Sequence, residues 1–308
     1  MAVPDDFLDG FFKQHPDAQS GKLTMQELNN LMAAYQQQMN ERPLADFDGL
    51  NPAQMEVLLH EPLGASSLLQ LRKDMELHVD QIPIYKLSEL LIAEIKQAGT
   101  LKLTVSGNLP VRVCTLLYKQ HLIGSDFQLN SDRIREDEVN YLWPLKQYLV
   151  DTGIAKKRNN AMSLTRQGEI FVKAAKADRF TALLKYFTTR FHWGNFYPLE
   201  DMGNTGYIGW AYSLVLLSRY GSKARPSAFY STKLIQAFEQ EILNTLEDYQ
   251  YTLSDYHYAY AVRFFDCFTN WFGLVKIERT RNYSLPAPER LSVSKSDLFD
   301  QIFQVHQT

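Results

Sequence analysis

The chain has 308 residues, 45% of them hydrophobic and 22% charged, with a net charge of −3. This is the mixture of a globular protein of about two domains, and it excludes a disordered tail, a collagen and a disulfide scaffold. Aromatic residues reach 13%, enough to fill a large core.

Charge is unevenly spread. Residues 1–83 carry 5 basic and 13 acidic residues, whereas 84–178 carry 14 and 10. An acidic N-terminal third beside a mildly basic middle points to internal docking or a protein partner more than to free nucleic-acid binding. No apolar run reaches the ~18–20 residues of a membrane span. Met1–Gly10 is acidic rather than the basic, apolar start of a secretory signal, so the expectation is a cytoplasmic protein without membrane contact.

In chain order, Leu23, Met25, Leu28, Leu31, Met32 and Tyr35 predict an amphipathic helix over 23–40, ended at Pro43. Asp46–Leu50 reads as a turn. Asn51-Pro52-Ala53-Gln54 predicts a helix start with Asn51 as cap and Gln54 reaching back. Residues 86–98 predict a helix stopped by Gly99, Leu101–Val105 a short strand, and Pro110 the start of another helix. A further helix beginning at Arg133 and ending at Asp151 follows. Pro144 within it marks either a kink or the true start near Trp143. Ile154–Ala155, the basic turn Lys156–Asn160 and Ala161–Thr165 read as strand, turn and strand before a helix at Arg166.

Helix, strand, helix, helix and a two-stranded wing form the order of a winged helix. The string from Gly153 to Phe171 looks like such a wing. Residues 179–250 read as helical and aromatic-rich, with a central apolar helix from Tyr207 to Leu217. Residues 254–295 repeat the pattern: a helix stopped at Gly273, a strand at Leu274–Ile277, and Leu291–Lys295 matching Met162–Arg166. The Gly153/Gly273 offset is 120 and the Leu164/Val293 offset 129, so the second wing holds 9 extra residues.

The predicted fold is mainly α with a minor β part. It comprises an acidic helical N-terminal region (1–83), a winged-helix-like domain (84–178), and a helical block with a second, degenerate winged-helix-like unit (179–308).

Chemistry-bearing motifs are absent. The seven histidines show no metal-ligand spacing, and neither a phosphate loop nor a nucleophile elbow occurs. Cys114 and Cys267 read as buried thiols. No catalytic residue, cofactor or metal is expected. His192-Trp193 is the most unusual local string, readable as a pocket or as a helix end packed by Trp193. Lys156, Lys157 and Arg158, with Arg133 and Arg135, are the candidate phosphate contacts. Against duplex DNA stand Glu136, Asp137 and Glu138, which would face phosphates at the start of the recognition helix.

The segment Asn40–Met55, NERPLADFDGLNPAQM, resembles a family of uncharacterised bacterial proteins with the pattern NxRPLxDFxGL(S/N)PxQM. LKLTVSGNLP and LLSRYG are similar to the same group. The resemblance implies a bacterial cytoplasmic setting and this architecture, and brings no catalytic residue with it. The resulting expectation is a non-catalytic interaction or regulatory protein with a protein partner. The rivals are a winged-helix DNA-binding transcriptional regulator and an enzyme of unknown class.

Overall fold

The computed structural model describes residues 5–124, 129–195, 209–280 and 287–306. Tyr207 and Ile208, the expected start of the central apolar helix, lie outside them.

The chain is mainly α-helical, with small sheets. Helix α1 (Asp5–Gln14) lies against α2 (Met25–Glu41), touching it at Tyr35 and, through Gln14, at Gln38. Thr24 caps α2 in a capping box with Glu27. Phe7, Phe11 and Tyr35 pack edge to face in a small cluster of their own, and Phe11 and Tyr35 stand apart from the main core that begins at Leu50. Helix α3 (Pro52–His60) starts as expected, with Asn51 accepting from the Gln54 amide and the Gln54 side chain returning the bond. Strand β1 (Leu69–Leu71) pairs with β8 (Phe303–Val305), closing the N-terminal third onto the C-terminal strand.

The first winged unit runs α4 (Pro83–Ala98), β2 (Leu101–Lys102), α5 (Val111–Tyr118), α6 (Leu142–Asp151), β3 (Ala155–Arg158) and β4 (Ala161–Leu164). The sheet order is β2-β4-β3. Helices α7 (Arg166–Phe171) and α8 (Lys176–Thr189) follow.

The second unit repeats this plan. Helix α9 (Trp210–Tyr220), β5 (Arg225–Pro226) and α10 (Ser227–Ala237) open it, and α11 (Glu239–Tyr249) is an insertion. Helix α12 (Leu253–Tyr260) runs on as a wider π-helical stretch, Ala261–Thr269. Strands β6 (Val275–Arg279) and β7 (Leu291–Lys295) flank the short α13 (Ala287–Arg290), and α14 (Asp297–Ile302) follows. The order β5-β7-β6 is that of the first unit.

The same hydrogen bonds hold both wings. Thr165 Oγ1 donates to the Gly153 carbonyl at 2.6 Å and caps α7. Ser296 Oγ donates to the Gly273 carbonyl at 2.6 Å and caps α14. Both glycines have positive φ, +73° and +69°, which a side chain would strain.

Four sequence expectations are corrected. Thr165 matches Ser296, an offset of 131 against 120 for the glycines, so the second wing holds 11 extra residues rather than 9. A shift of two preserves the in–out alternation of a strand, so the apolar pattern alone could not separate the two alignments. Strand 101–105 shrinks to Leu101–Lys102, because Thr104 and Asn108 close a turn. Lys156–Arg158 lie in β3 rather than in the turn. Asn159 and Asn160, with φ of +50° and +52°, take the two left-handed positions of the hairpin. Finally, of the two readings that Pro144 allowed, the true start near Trp143 holds, and no helix starts at Arg133. Residues 136–138 form one short 3₁₀ turn, and α6 starts at Leu142 with Pro144 in its first turn, where proline is tolerated.

Candidate functional site

A winged helix that reads DNA needs its third helix exposed. Here that helix is α6, and Leu142, Pro144, Leu145, Lys146, Tyr148 and Leu149 are all buried. In the second unit the stretch from Tyr256 to Phe272 is equally interior, with Tyr256, Tyr260, Phe265 and Trp271 at 1% exposure or less. Tyr256 and Tyr260 therefore offer no stacking surface; Tyr258 is half-buried.

The acidic triplet also sits differently from the sequence expectation. Glu136 turns inward, its side chain 2% exposed, and pairs with the Lys146 ammonium, itself 8% exposed. Glu136 also accepts from the Leu109 amide at 2.7 Å, and Lys146 donates to the Gly107 carbonyl at 3.1 Å. Two buried charges survive because each is paired and hydrogen-bonded further. The cluster ties the turn after β2 to α6. Asp137 and Glu138 are exposed and lie 3.6 and 3.5 Å from Arg135. Arg133 is exposed, and its amide bonds Ser131 Oγ. The segment 133–138 is a strut rather than the tip of a reading helix.

Lys156, Lys157 and Arg158 are all exposed. Register adds a residue that sequence reasoning missed: Lys102 on β2 and Arg158 on β3 are both partners of Ala161 on β4. Nothing local in the sequence signals this pairing, which depends on a crossover of more than fifty residues.

The conspicuous string Asp46–Leu50 forms a clamp. The Leu44 amide bonds the Leu50 carbonyl and the Gly49 amide bonds the Leu44 carbonyl, so the loop closes on itself. Asp48, at φ +57°, projects its carboxylate, 9% exposed, onto the second unit. There it meets the Lys233 ammonium, Arg219 Nη1 at 3.3 Å and the Tyr220 hydroxyl at 3.0 Å. Arg219 also donates to the Asp48 carbonyl at 2.6 Å. Lys233 and Arg225 lie over the Tyr220 and Phe229 rings, 4.6–5.6 Å from the centroids. Next to the clamp is a groove of about 540 Å³ lined by Pro226, Phe229, Thr232, Lys233 and Glu289. A second cleft of about 320 Å³ lies between Tyr118, Leu129 and Tyr141 of the first unit and Asp266 and Arg279 of the second.

His192 and Trp193 do not act together. Trp193 is fully buried, donates Nε1–H to the Phe187 carbonyl at 3.0 Å and stacks on Trp271, while His192 is exposed. His257 Nδ1 bonds Ser231 Oγ, but Ser231 is fully buried and lines neither groove. Burial lowers the His257 pKa. Burial pushes the Cys114 thiol up to about 12 and holds the Cys267 thiol well above its ordinary value. Among the described residues no group of three or more His, Cys, Asp or Glu side chains could hold a metal ion, and no helix is long and apolar enough to cross a membrane.

No protein-family model, no curated protein and no solved structure matches the chain.

Proposed function

We propose that the chain is a bacterial cytoplasmic interaction or regulatory protein whose N-terminal helix α2 engages a protein partner. The observation that carries this reading is the apolar seam of α2. Met25, Leu28, Met32, Tyr35 and Met39 recur at alternating spacings of three and four, the pattern of a helix that packs against another helix. Of these only Tyr35 is buried. Met25 is 74% exposed, and Leu28, Met32 and Met39 are half-covered. A seventeen-residue helix with one buried side chain gains little from its own fold, so its seam is explained by association.

Residues 5–41 hold six acidic and two basic side chains. The partner surface that fits is therefore an apolar helical groove rimmed with Lys or Arg. The Asp48 clamp supports the reading by fixing the segment that follows α2 to the body.

The test uses the full chain as bait in lysate of its source bacterium, beside Leu28→Asp and Met32→Asp, with circular dichroism as the control for folding. A stoichiometric partner held by the wild type, released at high salt and lost by both variants, is expected. Equal recovery by folded variants, or no partner with any bait, would contradict the reading.

A further inference from the structure

We infer that the outer face of the β2-β4-β3 sheet binds the phosphate backbone of duplex nucleic acid without reading its sequence. This surface is separate from the α2 seam, and the inference does not depend on the reading of that seam.

Residues paired across strands share a face of the sheet. Leu101 pairs with Met162, both buried, which marks the inner face. Lys102, Ala161 and Arg158 therefore form one row on the outer face, and Lys156 with Ser163 forms the next. With strands ~4.8 Å apart, Lys102 and Arg158 are about 10 Å apart across the sheet, and Arg158 and Lys156 about 7 Å along the strand. The residues between the cations, Ala161 and Ser163, are small and do not rise above the charged side chains. Lys157 points to the opposite face, where its ammonium lies over Gly107 and widens the basic rim. Lys102, Lys156, Lys157 and Arg158 are exposed, and none joins an ion pair among the described residues.

Two features select the ligand. Protein interfaces have apolar or aromatic centres and are poor in lysine, whereas this face carries cations and no large apolar side chain. Phosphate contact needs only such cations and supplies affinity without sequence information. Because α6 is interior, no helix enters the major groove and no base edge is read. The inward turn of Glu136 removes one of the three carboxylates that counted against nucleic acid in the sequence.

The experiment is fluorescence anisotropy of the full chain with two labelled duplexes of unrelated sequence, titrated between 50 and 200 mM salt. Three phosphate contacts give a slope of about −2.7 in log affinity against log salt, so affinity falls about 40-fold over this range and equally for both duplexes. Lys102→Ala leaves two contacts and a fall of about 12-fold, while Lys102→Arg keeps the wild-type slope. Lys156→Ala and Arg158→Ala act as Lys102→Ala does, and Lys96→Ala, an exposed lysine on α4, changes nothing. The inference is overturned if neither duplex binds at 50 mM salt, if one sequence is preferred tenfold, or if the alanine variants bind like wild type. It is also overturned if polyglutamate or anionic vesicles bind and the duplexes do not.

Discussion

Replacing Lys146 by Met tests the buried pair that fixes the third helix of the first unit. The substitution keeps the unbranched apolar stem, one atom shorter, and removes the charge. It deletes the bond to the Gly107 carbonyl and the contact with Glu136, whose carboxylate then keeps only the Leu109 amide. An uncompensated buried charge of this kind costs about 3–5 kcal/mol. Adding Glu136→Gln replaces the stranded carboxylate by a neutral amide, whose unmet hydrogen bonds cost about 1–3 kcal/mol. The double variant should therefore be more stable than Lys146→Met alone by about 2 kcal/mol, by comparison of the two penalties. Urea denaturation followed by far-UV circular dichroism measures the difference. Hydrogen exchange at Leu103–Leu109 reports whether the loss is centred on the turn the pair holds. If Lys146→Met stays within about 0.5 kcal/mol of wild type, the ordinary scatter of surface substitutions, the pair carries no such role.

Three further outcomes follow from the same packing. A Cβ at Gly168 would run into the Ile154 carbonyl oxygen, a backbone atom that cannot swing aside. Gly168→Ala should cost about 1–3 kcal/mol or more by thermal denaturation, and wild-type stability would show that the wing is not packed there. Cys114, held near 12 by burial, stays protonated in the native state at pH 8, so neither it nor Cys267, which burial also raises, should react with a thiol reagent until urea unfolds the chain. The sign of the linkage is that an acid with a raised native pKa binds more protons folded than unfolded above its ordinary value of 9.0. Stability should thus decline as pH rises beyond 9, joined above 10 by Tyr85 and Tyr230, whose hydroxyls burial holds near 12. Fast modification of native Cys114 at pH 8 would contradict this.

Local signals were readable where one short segment determines the outcome. The Asn51 cap, the glycine stops at 99, 153 and 273 and the aromatic core helix all follow from neighbouring residues. The repeat was visible because both wings need a left-handed glycine and a capping hydroxyl. Its alignment was misplaced by two because a strand looks the same after such a shift. Ile134 and Val139 are buried and read as helical, yet between them lies a single 3₁₀ turn flanked by extended Arg135 and Val139. Ile134 and Val139 both belong to the main core, the Ile134 amide is held by Thr115 Oγ1 of α5, and Glu136 between them answers to Lys146 rather than to solvent. Lys102 and the Asp48 clamp were hidden for one reason: each meets its partners across more than fifty residues, through a sheet register or a docking face that no local pattern encodes. Strand β5, two residues long, left no period to detect.

Amine labelling of the native full chain, read by mass spectrometry, asks most directly whether the third helix is inside and the wing outside. The account predicts rapid modification of Lys102, Lys156 and Lys157 and none of Lys146 before unfolding. Labelling of Lys146 at the rate of the wing lysines would mean that α6 is open to solvent and free to read DNA.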